Sequence, residues 1–404
     1  MKHLKALNKY FWKYRIRLGI GIIFIIVSNY FAVLSPQVTG FVVDHVQTHL
    51  SASHTEKQAK YDYLVNLFIK KVKSADLSIS RIVLLCGITI LMLALLRGFF
   101  MFLMRQTIIV MSRHIEYDQK NEVYTHYQKL DTAFYKTHST GDLMSRIAED
   151  VSRVRMFSGP AIMYLVNLIT LISLSVFYMF HRDKLLTLYV LAPLPLLAFI
   201  IYYVNSIIHK KSEKIQALLS DLTTNAQESY SGIRVIKSFV QEKTMFGFFE
   251  KNCEAYKQNA IGLAKLEAIY FPSMTLIIGL STLITIMMGS LYYLENPDPT
   301  RLAAIVEFIV YINMLMFPVS AIGWTASMIQ RASASQKRLN EFLKTKPGIH
   351  NPAKPEKIEV EGNISFSHVD FVYPHTGIKA LQNFNLEIKK GEKVAIVGRT
   401  GSGK

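Results

Sequence analysis

Residues 393–404 read Lys393-Val-Ala-Ile-Val-Gly398-Arg-Thr-Gly401-Ser-Gly403-Lys404, a short apolar stretch running straight into the spacing G-x-x-x-x-G-K. Glycine at 398, 401 and 403 lets the backbone bend through conformations that other residues resist, so that successive N–H groups turn inward around a phosphate. Lys404 adds a point charge toward the outer phosphates. Gly398, Arg399, Thr400, Gly401, Ser402, Gly403 and Lys404 are therefore the candidate nucleotide-binding residues. No metal ligand is expected among them, and the hydroxyl that would hold magnesium is expected after Lys404. The spacing alone is weakly specific, and its surroundings strengthen it. Phe366, Val369, Phe371 and Tyr373 mostly alternate, a turn is expected over 374–377, residues 381–388 alternate again, and Lys390-Gly391 turns into 394–397, read as a buried strand. Strand, turn, strand, turn, strand and glycine loop is the order in which an α/β nucleotide-binding domain opens.

Ahead of that segment the chain has the composition of an integral membrane protein. Half of its residues are hydrophobic, its mean hydropathy is positive, and it contains long uncharged runs. The formal charge of +17 raises nucleic acid as a partner, but its distribution argues against one. Lys2, Lys5, Lys9, Lys13, Arg15 and Arg17 precede the first apolar run with no acid among them, as expected for a segment held on the cytoplasmic side beside anionic lipid. The first apolar run is too long for a cleavable signal peptide. The two cysteines, Cys86 and Cys253, have neither metal-ligand nor disulfide-framework spacing.

Six stretches approach the roughly 20 apolar residues that a bilayer requires: about 18–42, 82–104, 159–180, 185–205, 269–293 and 302–324. Pro36, Pro160, Pro193, Pro195, Pro272 and Pro318 fall in or at the ends of these runs, where neighbouring helices can satisfy the freed backbone groups. The connections at about 105–158 and 206–268 carry dense mixed charge and helical periodicity, through Val123, Tyr127, Leu130 and Phe134 and through Ile215, Leu218, Leu219 and Leu222. With the N-terminus inside, alternation places both connections in the cytoplasm. On the outside, Tyr61, Leu64, Val65, Phe68, Ile69 and Val72 form an apolar stripe at helical spacing within 45–80, read as a helix capping the outer face.

At this point the chain resembles the ATP-binding-cassette exporters of the half-transporter kind, in which six transmembrane helices are fused to a C-terminal ATPase domain. The resemblance rests on Leu130-Asp-Thr-Ala-Phe134-Tyr135-Lys-Thr-His-Ser-Thr-Gly141-Asp142-Leu143-Met-Ser-Arg146, on Asn225-Ala-Gln-Glu228-Ser-Tyr-Ser-Gly232-Ile233-Arg234-Val235-Ile236, and on Phe371-Val-Tyr373 ahead of the glycine loop. It implies short transverse coupling helices near 132–139 and 228–234, with Phe134, Tyr135, Gly141, Asp142, Glu228, Gly232, Ile233 and Arg234 as the coupling residues. It implies Tyr373 as the residue that stacks on adenine, ATP with Mg2+ as cofactor, a second half-transporter subunit as partner in a homo- or heterodimer, contact with membrane lipid, and an amphiphilic substrate such as a drug or lipid. It further implies a bacterial inner membrane, with the N-terminus and ATPase domain in the cytoplasm.

The fold class expected is a mainly α membrane protein of six long transmembrane helices with cytoplasmic extensions, followed by the start of an α/β P-loop ATPase domain. The corresponding division is 1–17 N-terminal segment, 18–330 transmembrane domain, 331–360 linker and 361–404 opening part of the ATPase domain. Glycine is expected to break the long helices at Gly141 and Gly232. The motifs that would orient water and hold the metal would follow Lys404, so these 404 residues alone are expected not to hydrolyse ATP. The rival reading is a non-hydrolysing or secondary-transport membrane subunit. Inside the apolar runs, Arg97 is expected to find a structural pairing, and Glu307 to sit either on a solvated outer rim or in a cation-recognition site. Tyr164, Phe177, Tyr178, Met287, Met314 and Phe317 are read as helix packing or as the lining of an adaptable cavity.

Overall fold

A backbone that enters hydrocarbon must satisfy its own polar groups, and the apolar runs of this chain do so as helices. The computed structural model describes residues 2–50, 60–74, 78–295, 299–349, 354, 361–373 and 376–399. A 3-10 turn at Lys2–Leu7 is followed by α1 (Asn8–Lys13), α2 (Arg15–Leu50), α3 (Tyr63–Ser74) and α4 (Ile79–Lys129). Two short helices, α5 (Thr132–Thr137) and α6 (Thr140–Ser145), lead through a π turn at Arg146–Asp150, α7 (Val151–Met156) and a second π turn at Phe157–Ala161 into α8 (Ile162–Arg182). Pro160 lies in that second π turn, where its missing N–H leaves a carbonyl unbonded and widens the helix. Next come α9 (Lys184–Leu191), α10 (Pro193–Ser231), α11 (Ile233–Ser238), α12 (Glu242–Glu295) and α13 (Pro299–Lys344).

Five helical stretches among the described residues are long and apolar enough to cross a membrane: Arg15–Thr48, Ile79–Lys129, Thr140–Arg182, Glu242–Glu295 and Thr300–Lys344. The remaining expected run, 185–205, is helical but divided at Ala192 between α9 and α10. Pro193 and Pro195 supply no N–H, yet Ala192 keeps right-handed helical angles and donates to Leu188 O at 3.1 Å. The division is thus a loss of hydrogen bonds and not a reversal of the chain. Helices α4 and α12 hold 51 and 54 residues. At ~1.5 Å per residue each is more than twice as long as the ~30 Å of hydrocarbon, so both continue well past it.

The chain divides into two compact units: Met1–Asn8 with His114–Arg155 and Arg331–Lys404, and Lys9–Arg113 with Met156–Gln330. In the second unit Val33, Leu171, Met179, Leu186, Val190, Met274, Ile277, Phe308, Tyr311 and Leu315 make one apolar core joining α2, α8, α9, α12 and α13. A second cluster seats α3 on α2 and α4 through Leu34, Val38, Phe41, Val65, Val72, Ile82 and Cys86. The outer stripe is therefore narrower than its pattern: Phe68 and Ile69 pack against this cluster, while Leu64 is exposed. Polar side chains in the apolar helices bond their own backbone, as Thr89 does to Leu85 O and Thr282 to Ile278 O, or a neighbouring helix, as Ser281 Oγ does to Val190 O at 2.7 Å.

In the first unit, β1 (Ile364–Val372) and β2 (Lys379–Ile388) form an antiparallel hairpin with Ile364 opposite Ile388 and Phe371 opposite Leu381. Bulges interrupt the ladder, and His368 and Asn383 take positive φ there. Side chains replace the missing ladder bonds: Asn385 Oδ1 accepts from His368 N at 2.7 Å, and Asp370 Oδ1 from Asn383 N at 2.9 Å. The expected third strand is not formed. Residues 394–397 lie outside any strand, with Ile396 and Val397 well exposed. A buried parallel strand needs a ladder partner on each edge, and among the described residues none is present beside 394–397.

Candidate functional site

The first elbow is built by caps. Asp131, extended at φ −81° and ψ 169°, ends α4 and accepts from Phe134 N at 3.1 Å, opening α5. Ser139 does the same for α6 through Asp142 N at 3.3 Å. The breaks therefore fall at Asp131 and His138-Ser139, whereas Gly141 sits inside the first turn of α6, with open space where a side chain would be. Asp142 forms an i,i+4 pair with Arg146 at 2.7 Å. Phe134 lies half-buried at 6.1 Å from Phe342, a fully buried ring on α13 that also meets His126 at 4.9 Å, Tyr127 at 4.4 Å and the Arg146 guanidinium at 5.6 Å. Tyr135 is exposed and donates to Tyr127 O at 2.6 Å.

Tyr373 closes the hairpin turn. Its N–H donates to Ile378 O at 2.9 Å, and its carbonyl accepts from Gly377 N at 2.8 Å. Its ring meets Phe371 at 5.0 Å and 79°, and Lys136 Nζ lies 5.8 Å from its centroid. Of the glycine loop, Gly398 is half-buried and Arg399 exposed; Thr400, Gly401, Ser402, Gly403 and Lys404 lie outside the described residues.

The second elbow, in the other unit, begins one turn later than its motif suggests. Glu228 remains in α10, and α11 starts at Ile233 after Gly232, whose φ of −92° does not use glycine's left-handed freedom. Gly232 is confined instead by space, because an added Cβ would meet Glu228 O at 3.1 Å. Arg234 follows in the first turn of α11. The left-handed position is Val240, at φ 50°, which lets Gln241 N reach Ile236 O at 3.0 Å in a helix-ending motif ordinarily given to glycine. Tyr230, Ile233, Val235, Phe239 and Val240 are all exposed there, a concentration of apolar surface of which the expected coupling set named Ile233.

Deep in the second unit, Glu307 contradicts the solvated-rim expectation. It is buried and faces Arg182 at 3.2 Å, with side-chain exposures of 2% and 5%. The Arg182 Nε and Glu307 Oε2 atoms are close enough for charge pairing but off hydrogen-bond geometry. Arg182 instead donates to Thr300 O at 2.9 Å and lies 4.9 Å from the Tyr61 ring. Burial, opposed by the Arg182 charge, pushes the Tyr61 phenol well above its usual range. Beside it, Asp62 accepts from Tyr30 and Tyr178 at 2.7 Å each and from Leu64 N at 2.9 Å, while its own N–H donates to Gln37 Oε1 at 2.7 Å. One carboxylate thus ties the start of α3 to α2 and α8. The signal for Arg182 was its place at the closing end of an apolar run; nothing in the pattern marked Asp62.

Among the described residues Arg97 shows no ion pair of the expected kind: its Nε is buried without a hydrogen-bond partner, and its carbonyl accepts from Ser28 at 3.1 Å. Helix α2, which supplies that serine, carries no acid before Asp44. Of the aromatic and methionine group, Tyr178 and Met314 pack on the core, Tyr164 meets Trp324 at 5.0 Å, and Phe177, Met287 and Phe317 are exposed.

Five long apolar helices and an inward-facing charge pair define a multi-pass membrane protein. The chain belongs to the ABC transporter family, since the family model of the ABC transporter transmembrane region matches residues 18–319. It is similar to the probable multidrug resistance ABC transporter ATP-binding/permease protein YheI of Bacillus subtilis, 33% identical over 282 residues, covering 69% of this chain and 48% of that protein. It is also similar to the multidrug resistance-like ATP-binding protein MdlA of Escherichia coli, at 28% identity over 72% of this chain and 49% of the relative. The ATP-dependent lipid A-core flippase of Chromohalobacter salexigens is 26% identical over 72% of this chain and 50% of its own length. The chain spans about half the length of these curated relatives.

Replacing Glu307 by leucine strands Arg182 in the core, and thermal unfolding in detergent should show a loss of ~3–5 kcal/mol; the double change Glu307→Leu with Arg182→Leu should recover most of it. Val240→Gly removes a β-branched side chain from a left-handed position. The relief of ~1–2 kcal/mol is offset in part by glycine's greater freedom when unfolded, so the same assay should show a net gain of roughly 0.5–1 kcal/mol.

Proposed function

We propose that this chain is the membrane domain and the opening part of the ATPase domain of a half-transporter that works as a homo- or heterodimer and exports an amphiphile, a drug or a lipid, at the expense of ATP. The observation that carries this reading is a single polypeptide holding both the family's transmembrane region and, behind it, a hairpin that turns at Tyr373 and leads to Gly398 and the glycine loop. The relatives named for multidrug resistance and for lipid A-core flipping support the choice of substrate class.

In this mechanism Tyr373 stacks on adenine, the amides of 398–403 surround the phosphates, and Lys404 neutralises their charge. ATP with Mg2+ fits such a loop chemically, the metal supplying charge neutralisation at the outer phosphates. Two ATPase domains closing on nucleotide push on both elbows. In the first elbow the transmitting residues are Phe134, Tyr135, Gly141 and Asp142, and in the second Glu228, Gly232, Ile233 and Arg234. The exposed apolar side chains around α11 give the second elbow a surface that an ATPase domain can grip. ATP drives the change only because it binds the closed pair more tightly than the open one. The N-terminus, both elbows and the ATPase domain lie in the cytoplasm of a cell whose inner membrane holds the helices, with the basic residues from Lys2 to Arg17 fixing that orientation.

ATPase turnover of the full-length protein in lipid vesicles, measured with a panel of cationic drugs and lipids, tests the reading. Lys404→Ala should lower turnover by ~10²-fold or more, as removal of a preorganised charge at a developing phosphate charge does. Unchanged turnover in that variant overturns the assignment.

A further inference from the structure

The first elbow carries a lysine that the transport reading leaves without a role. Helix α5 is six residues long, too short to hold its own position, and two anchors fix it. One is Phe134, seated with His126, Tyr127 and Arg146 around the buried Phe342 ring. The other is Asp131, whose two oxygens serve different partners: Oδ1 accepts from Phe134 N at 3.1 Å within the elbow, and Oδ2 accepts from Gly348 N at 2.7 Å, just past the end of α13. The approach at Gly348 is so close that an added Cβ would lie 2.6 Å from that oxygen, which belongs to a short side chain held by hydrogen bonds at both of its oxygens. So placed, the elbow presents Lys136, with its ammonium 5.8 Å from the centre of the Tyr373 ring.

We propose that Lys136 reads nucleotide occupancy in its own chain: its ammonium and the adenine of a bound nucleotide compete for the Tyr373 ring, and Asp131 with Gly348 is the positioning clamp that keeps Lys136 within reach. This rests on the reading of Tyr373 as the adenine-stacking residue. An ammonium over a tyrosine face is held by the ring's negative centre, and a purine that stacks on that face must displace it. Loading nucleotide therefore frees Lys136 and loosens one contact between the elbow and the hairpin. An empty site restores it. The elbow thus senses the nucleotide state through a side chain, in addition to any push that it receives from a moving domain.

The contact is weak, so the effect on binding is modest and has a definite sign. In the full-length protein in lipid vesicles, titration with a fluorescent adenine nucleotide should show Lys136→Gln binding about two-fold more tightly than the wild type, and Lys136→Arg binding as the wild type does. Asp131→Ala touches neither ring nor nucleotide and should reproduce the Lys136→Gln affinity. Hydrogen exchange at the Gly348 amide provides a readout that needs no nucleotide, and it should quicken by about ten-fold in Asp131→Ala. If nucleotide binds and Lys136→Gln leaves its affinity unchanged or weaker, the competition is wrong while the transport reading stands. If Gly348 exchanges at one rate in both proteins, the clamp is wrong. If the wild type itself binds no nucleotide, the transport reading and this proposal fall together, and the exchange result alone still reports on the clamp.

Discussion

Hydrocarbon offers no hydrogen-bond partner, and the whole membrane part of this chain follows from that. The backbone is confined to helices, and hydroxyls within them bond the preceding turn, as Thr282 does, or the carbonyl of a neighbouring helix, as Ser281 does with Val190. The buried Glu307 is answered by a charge of opposite sign. Glu307 is nearly sealed from solvent and faces Arg182, which leans on the Tyr61 ring and on Thr300 O. Such a pair adds little net stability, because desolvating two ions cancels most of their attraction, but neither ion tolerates losing the other. The pair therefore fixes the register of α8 against α13 more than it strengthens their contact.

A second polar device works on the same helices. Asp62 collects two tyrosine hydroxyls and a backbone amide, so the segment opening α3 is joined to α2 and α8 by directed bonds as well as by the apolar face of α3. Where helices leave the hydrocarbon, capping takes over from burial. The first elbow exists because Asp131 and Ser139 terminate one helix and begin the next, and the second because Val240 accepts a left-handed conformation in a chain with no glycine at that point. A β-branched residue there is a local strain, and strain of this sort is retained where the surrounding structure holds it in place.

Hydropathy made the helical architecture legible. It identified the runs, the charged extensions and the amphipathic helix α3, because each is a statement about which atoms can leave water. Over 185–205 the run is helical as expected, but two prolines divide it at Ala192. Glycine was over-read at Gly141, which lies inside α6 while Asp131 and Ser139 cap the breaks; at Gly232 the break does fall on the glycine, with no capping side chain and at a φ that other residues also adopt. The partner of Glu307 and the grip of Asp62 were illegible for a different reason. Both depend on which helices become neighbours, and residues 178, 182 and 307 carry no mark of that in their local pattern. The hairpin was read correctly from alternation, but the strand at 394–397 was not, since a strand of that kind is made by its ladder partners and not by its own residues.

The account stands on the two elbows sharing the compartment in which ATP is found. The two native cysteines test this directly, since Cys253 lies on the arm of the second elbow in α12 and is partly exposed, whereas Cys86 is buried in the membrane part of α4. A membrane-impermeant maleimide should leave Cys253 unmodified in intact cells, and modify Cys253 but not Cys86 once the membrane is permeabilised, as read by mass spectrometry of the two peptides. Modification of Cys253 in intact cells would put the elbow on the outer side, away from ATP, and contradict the account.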